Sequence, residues 1–137
     1  MSLGRLKANL FLVAMVAFHC SLFAAPLVAQ EKADLVKLAA QLSDKDAAVR
    51  RSAIEALGQL NDQSGADLLI SALNDENQDV RSAAALALGE TKSAKGVEPL
   101  IKMLQSQRLR DRRTAMIALG TLGGAKACDA LIPLLQS

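Results

Sequence analysis

The chain has 137 residues, of which 51% are hydrophobic, so it has room for one domain with a sizeable core and a short appendage. Its formal net charge is only +2, and the part after residue 29 is neutral because Arg5 and Lys7 lie before that point. A neutral chain without Trp or Tyr gives no reason to expect nucleic acid or an anionic membrane surface as its partner.

Residues 1–29 have the layout of a secretory signal peptide. Arg5 and Lys7 precede an uncharged run from Leu10 to Ala29, which predicts a signal-peptide helix that is cleaved near Ala29. The domain beyond it would then be periplasmic or secreted. The alternative is an uncleaved membrane anchor, since about 20 apolar residues are enough to cross a bilayer as a helix.

From residue 30 onward the sequence repeats itself every 31 residues. The segments VRRSAIEALG, VRSAAALALG and DRRTAMIALG begin at Val49, Val80 and Asp111. A constant period of this size indicates a stacked two-helix unit, because one such unit cannot bury its own apolar face. We therefore predict an all-α, right-handed α-solenoid of antiparallel helix pairs in residues 30–137, with a helix at 31–42 and hairpins at about 46–73, 77–104 and 108–136.

Two types of helix alternate within this repeat. First-type helices carry the three segments above, and second-type helices carry leucines spaced i, i+4 on one buried face. The glycines at the end of the first-type segments have two explanations, either a left-handed turn that ends the helix or a close crossing without room for a side chain. Each glycine directly follows a leucine that we assign to the core: Leu57 and Gly58, Leu88 and Gly89, and Leu119 and Gly120.

These segments, each followed by a helix of the form GxxxLIxxL, resemble the short HEAT-like repeats of the phycobilisome lyase type over about residues 31–137. The same scaffold serves bilin lyase subunits, metal-dependent hydroxylases, alkylpurine glycosylases and plain binding proteins. The resemblance therefore implies an architecture and leaves the function open.

The resemblance also implies a structural role for a recurring arginine. Arg50 and Arg81 would pair with an aspartate at the preceding turn, here Asp44 and Asp75. In the third unit Ser106 stands where that aspartate would be, so the row of pairs is expected to end before Arg112.

The exported part lacks the side chains that catalysis on this scaffold would need. It contains no histidine for the iron site of a hydroxylase and no stacking pocket or basic track for base excision. Its one cysteine, Cys128, has apolar register equivalents at Leu35, Ala66 and Val97, so we expect it in the core. We predict no catalytic residue, no metal site and no cofactor.

A cluster of cations opens the third unit. A helix start normally favours negative charge, so these cations would contact an anion or an acidic peptide. The alternative is a solvated face that Asp111, Glu90 or Glu98 neutralises in part. The cluster consists of Arg108, Arg110, Arg112 and Arg113.

Two further surfaces lie on the second-type helices. Leu68, Met103 and Leu134 would line a groove for an extended peptide or a helix, unless the stack buries them. The other surface is a row of carboxylates, which would either attract a cationic partner or complement the helix dipoles. That row consists of Asp67, Glu98 and Asp129.

The C-terminal end of the repeat is predicted to be apolar. Leu131, Leu134 and Leu135 fall in the last second-type helix and would leave an open end that supports self-association. Together these features predict an exported, non-catalytic module that binds or scaffolds another protein or peptide. The alternative is a non-catalytic subunit of a lyase-type enzyme complex.

Overall fold

A computed structural model describes residues 32–60 and 63–135 of the chain. The chain divides into two units, Met1–Asp34 and Leu35–Ser137, and the contacts discussed below lie within the second. The signal-peptide prediction for residues 1–29 falls outside the described residues. Among the residues that are described, no helix is both long enough and apolar enough to cross a membrane.

The described residues fold into α-helices and one short 3-10 turn, with no strand among them. Each predicted hairpin contains a helix pair, and the prediction of an all-α solenoid with two-helix units is confirmed. The helices in chain order are α1 (32–41), α2 (Ala47–Leu60), α3 (Gln63–Ala72), α4 (Gln78–Glu90), α5 (Val97–Leu104), α6 (Leu109–Leu122) and α7 (Ala125–Leu135), with the 3-10 turn Ala94–Gly96 before α5.

The first-type helices pack side by side, α2 on α4 and α4 on α6, while the second-type helices α3 and α5 pack on the first-type helix of the following unit. The predicted core leucines Leu57, Leu88 and Leu119 are each 0% exposed. Leu38 and Leu42, at the register of the second-type leucines, pack against the same core. The interior therefore consists of one contact pattern that recurs from unit to unit.

The glycines at the ends of the first-type segments serve close helix crossings. Gly58 and Gly89 lie inside α2 and α4, and the positive φ angles among the described residues occur after α4 and α6 instead, at Lys92 (54°), Gly123 (72°) and Gly124 (87°). A Cβ on Gly58 would lie 3.0 Å from the Cβ of Ala87, and a Cβ on Gly89 would lie 2.7 Å from the carbonyl oxygen of Ala118. The first-type helices therefore approach each other where a side chain is missing.

Gly120 lies at the same register in α6 but faces open space. No atom lies within 4 Å of the Cβ that a substitution would add, because no described helix packs on that side of α6. The same sequence feature thus has a packing role in two units and none in the third.

Alanine substitutions at two of these glycines are expected to act in opposite directions. Gly89→Ala should lower the free energy of unfolding by about 1–3 kcal/mol, because the backbone of α6 must move away. Gly120→Ala should raise it by about 0.5–1 kcal/mol, because alanine favours a helix and meets no neighbour. Urea unfolding followed by circular dichroism measures both free energies of unfolding. A change of the same sign and size in the two variants would contradict a close helix crossing at Gly89 alone.

The prediction that Cys128 lies in the core is wrong, because its side chain is exposed. Its register equivalents Ala66 and Val97 are 0% and 6% exposed, since α3 and α5 are covered by the first-type helix of the next unit. Among the described residues no helix follows α7. Register equivalence therefore predicts burial only where a following unit is present.

Candidate protein-interaction site

A buried arginine connects each inter-unit turn to its neighbour. Arg50 Nη1 donates to the carbonyl oxygens of Asp44 and Lys45, at 2.8 and 3.1 Å, in the turn of its own unit. Arg50 Nε and Nη2 donate to the two carboxylate oxygens of Asp75, at 2.7 and 2.9 Å, in the turn of the next unit. We call this arrangement the arginine clamp.

Arg81 forms the second clamp. Its Nη1 donates to the carbonyl oxygens of Asp75 and Glu76, at 2.7 and 3.0 Å, and its Nε lies 3.3 Å from Asp111 Oδ2. The predicted pairing of each arginine with the carboxylate of its own turn is therefore wrong. The carboxylate of the arginine's own turn instead accepts a hydrogen bond from the backbone N–H group two residues later, as Asp44 does from Asp46 at 2.8 Å. The arginine donates to the backbone carbonyl oxygens of the same turn.

Arg112 has no carboxylate partner among the described residues, as predicted, but the change at Ser106 does not deprive Arg81 of its carboxylate. Asp111 occupies the register of Val49 and Val80, is 3% exposed, and supplies the carboxylate for Arg81. Ser106 Oγ donates to Asp111 Oδ2 at 3.2 Å and accepts the N–H group of Arg108 at the same distance. The carboxylate has thus moved from the turn to the first helical turn of α6, where it still reaches Arg81.

The first clamp changes the ionisation of its members. The hydrogen bond from Arg50 lowers the pKa of Asp75 below its ordinary value of 3.8, and the N–H group of Asn77 lowers it further, whereas burial opposes both. The hydrogen bond to Asp75 raises the pKa of Arg50 in return. The pair is therefore fully ionised at neutral pH.

A cleft of about 720 Å³ opens along α3, α5 and the turns before α4 and α6, beside the second clamp. Its apolar walls include Ile70, Leu73 and Met103. Since Asp75, Arg81 and Asp111 also line it, part of its surface consists of groups that are already paired with one another. The charged side chains around it are Glu76, Glu98, Lys102 and Arg108.

The cleft brings together three of the predicted partner-binding residues, Glu98, Met103 and Arg108. Leu68 is half-buried and packs against the core instead. Leu134 lies in α7, but its side chain falls outside the described residues. The cleft thus lies along the second-type helices α3 and α5, as the predicted groove does, but it also includes the turns before α4 and α6 and leaves out Leu68.

The arginine cluster does not form one patch. Arg110 Nη2 lies 3.0 Å from Asp79 on the first-type side, where Arg110 and Arg113 line a separate shallow cleft. Arg112 Nη1 donates to the carbonyl oxygens of Ser106 and Gln107, at 2.9 and 3.1 Å, as the other clamp arginines do in their own turns. Arg108 alone of the four lines the larger cleft, with its Nη1 3.7 Å from Asp111.

The row of carboxylates alternates with lysines. Asp67 lies 2.9 Å from Lys95, and Glu98 lies 3.8 Å from Lys126, whereas Asp129 has no described basic partner. Of the three acidic residues only Glu98 lies in the first turn of its helix, so the dipole explanation applies to that residue alone. Exposed pairs of this kind contribute little to stability, and the row is not an acidic surface.

Two-helix units with a repeated inter-unit clamp define this protein as an α-helical repeat protein. The chain belongs to the HEAT-repeat family, since the family model for HEAT repeats matches residues 35–117 and 67–137. No curated protein matches the sequence.

The solved structures that resemble the chain include a lyase complex and an engineered protein. The complex of CpcE and CpcF of phycocyanin lyase from Nostoc matches with a TM-score of 0.63 and 33% identity, over 72% of this chain and 40% of the other. An engineered protein matches with a TM-score of 0.55 and 25% identity, over 73% of this chain and 50% of the other. The chain thus spans at most half the length of these two structures.

The second clamp is tested by removing the carboxylate of Asp111 and then restoring a carboxylate at residue 106 in the turn. Asp111→Val should lower the free energy of unfolding by about 3 kcal/mol, because Arg81 loses its buried counter-charge. Adding Ser106→Asp to that variant should recover most of the loss, since residue 106 is the register equivalent of Asp75. Urea unfolding measures both, with Asp79→Val as the exposed control, expected within about 1 kcal/mol of the parent. An unchanged free energy of unfolding in Asp111→Val would contradict the clamp.

Acid should weaken the first clamp. Because the pKa of Asp75 is lower in the folded chain than in the unfolded chain, its ionised form stabilises the fold above the ordinary value of 3.8, and this contribution is lost as the pH falls through the lowered pKa. The stability difference between the parent and Asp75→Asn should therefore be constant near neutral pH and shrink below about pH 4. Urea unfolding across this range measures it, and a difference that does not change with pH would argue against the paired carboxylate.

Proposed function

We propose that the chain is an exported, non-catalytic module that binds a segment of another protein in the cleft lined by α3, α5 and the turns before α4 and α6. The cleft carries this proposal, because it combines apolar walls with unpaired charge on a fold that commonly presents binding surfaces. Export rests on the signal-peptide pattern of residues 1–29.

The charges around the cleft favour an acidic partner segment. Asp75 and Asp111 are already paired with Arg50 and Arg81, so their carboxylates are not available to a ligand. Of the two other carboxylates that line the cleft, Glu76 lies 3.6 Å from Arg50 and Glu98 lies 3.8 Å from Lys126. Lys102 has no carboxylate partner among the described residues, and Arg108 is 64% exposed in its side chain.

Met103 is only 9% exposed, so a matching partner would place an apolar side chain against the half-buried Ile70 and Leu73 and a carboxylate at Arg108. Such a segment would use the apolar contact for affinity and the carboxylate for orientation. The proposal therefore names an acidic peptide segment with one apolar anchor as the ligand class.

Site-specific photo-crosslinking tests the cleft in the native compartment. A benzophenone amino acid in place of Lys102 should give a discrete adduct with one protein, identified by mass spectrometry. The same amino acid in place of Leu86, which is 40% exposed on α4 and lies outside the cleft, serves as the control. Equal adduct patterns at the two positions would exclude the cleft as the binding site.

A charge variant of the crosslinking protein tests the acidic preference. Arg108→Ser should reduce the adduct at position 102 by about tenfold while preserving the helix start, because serine is a preferred N-cap residue. Arg113→Ser removes the same charge outside the cleft and should leave the adduct unchanged. An adduct that survives Arg108→Ser would remove the acidic segment from the proposal.

A second candidate function is a non-catalytic subunit of a lyase-type enzyme complex. The 33% identity to the complex of CpcE and CpcF favours it, although the match covers 40% of that chain. The absorption spectrum of the protein purified from its native compartment distinguishes the two. A tightly or covalently held chromophore favours the lyase-type subunit, and a chromophore-free complex with another protein favours the binding module.

A further inference from the structure

The first-type side of α6 carries two large aliphatic side chains that are exposed to solvent. Leu109 is 64% exposed and Ile117 is 57% exposed. They lie four residues on either side of Arg113, and residues four apart share one face of a helix, so the three side chains form one stripe. We call Leu109, Arg113 and Ile117 the α6 stripe. It lines the separate shallow cleft, whose volume is about 570 Å³ and which also includes Gln78 of α4.

Exposure at the register of Ile117 does not depend on whether another unit follows. Leu86 occupies this register in α4, which packs between α2 and α6, and it is still 40% exposed. Glu55, at the same register in α2, is exposed as well. The first-type side therefore stays open in each described unit, and a further unit stacked in the same way would leave Ile117 exposed.

The first unit has a different solution at the same three registers, which hold Ala47, Arg51 and Glu55. There Arg51 Nε donates to Glu55 Oε1 at 3.0 Å, so the exposed arginine is paired along its own helix. In α6 a leucine replaces the alanine, and Ile117 replaces the glutamate. The α6 stripe thus has two more large aliphatic side chains and one carboxylate fewer than the equivalent face of α2.

Arg113 is left without a counter-charge. The other arginine of the shallow cleft, Arg110, has its Nη2 3.0 Å from Asp79, whereas Arg113 has no carboxylate partner among the described residues. The unpaired charge of the cleft is therefore one cation that lies between two aliphatic side chains. A complementary surface carries one carboxylate between two apolar side chains.

Neither a second copy of the stripe nor a membrane surface supplies this arrangement. The stripe is symmetric about Arg113, so a two-fold pairing of α6 with α6 would place two copies of Arg113 against each other, and like charges repel. An anionic membrane surface favours several unpaired cations close together, and the shallow cleft offers one.

We propose that the α6 stripe binds an α-helix of another protein, in which an aspartate or glutamate lies between two apolar residues, each four positions away. Leu109 and Ile117 are separated by about 12 Å along the axis of α6. A partner helix with the same spacing places its apolar side chains beside these two residues and its carboxylate at Arg113. This surface lies on the first-type side of the stack, apart from the cleft along α3 and α5.

A fluorescently labelled helical peptide tests the α6 stripe. The probe is an alanine-rich helix with a central glutamate and with a leucine four residues before and four residues after it, and the control peptide carries lysine in place of the glutamate. Fluorescence anisotropy should show saturable binding of the glutamate peptide to the protein and at least tenfold weaker binding of the lysine peptide. Lack of saturation, or equal affinity for the two peptides, overturns the proposal.

Three variants of the protein locate the binding. Ile117→Glu recreates the face of α2, so it should weaken binding of the glutamate peptide by about tenfold or more and leave the midpoint of urea unfolding unchanged. Arg113→Glu should reverse the preference, with the lysine peptide bound at least tenfold more tightly than the glutamate peptide. Arg51→Ser, at the register of Arg113 in α2, is the matched control and should leave binding unchanged. Binding that survives Ile117→Glu, or that Arg51→Ser weakens equally, contradicts the assignment.

Two further measurements address the other occupants. Binding of the protein to phosphatidylglycerol vesicles that is lost in Ile117→Glu would assign the stripe to a membrane, and a dimer in sedimentation that is lost in the same variant would assign it to a second copy. Either result overturns the proposed helix. Because Ile117 does not line the cleft along α3 and α5, Ile117→Glu should leave crosslinking at position 102 unchanged, so the two binding proposals fail independently.

Discussion

The arginine clamp sets how one unit lies on the next, and the other features of the described fold depend on it. A buried guanidinium destabilises a protein unless its donors are satisfied, because the loss of hydration must be offset by hydrogen bonds. Arg50 meets this condition with two backbone carbonyls of one turn and both carboxylate oxygens of the next. Because the side chain contacts two consecutive turns at once, it specifies the spacing between them as well as contributing to stability.

The clamp also explains why the third unit tolerates a changed sequence. What Arg81 requires is a carboxylate within reach of its Nε and Nη2, and both the turn position and the first helical turn of α6 satisfy that geometry. Ser106 keeps the hydrogen bond within the turn and orients Asp111 through its hydroxyl group. Charge is thus conserved at the interface while the residue that carries it changes.

The period of the sequence predicts the helices and the core well because both are properties of every unit. Leu57, Leu88 and Leu119 recur at one register, and each is fully buried. The partner of each arginine could not be predicted in the same way. Asp44 and Asp75 are equivalent in register, so the period cannot distinguish a contact within a unit from a contact between units. One signal was present, since Asp111 places a charge at the register of two valines.

The candidate binding residues could likewise not be grouped correctly from the sequence. Arg108 is the N-cap residue of α6 with an extended backbone, whereas Arg110 lies in the first turn of the helix, so their side chains reach different clefts although they are close in sequence. The larger cleft instead combines residues from all three units and the turns between them, which a comparison of equivalent positions along one helix type does not bring together. Grouping by sequence proximity therefore gave one arginine patch where the structure has two separate surfaces.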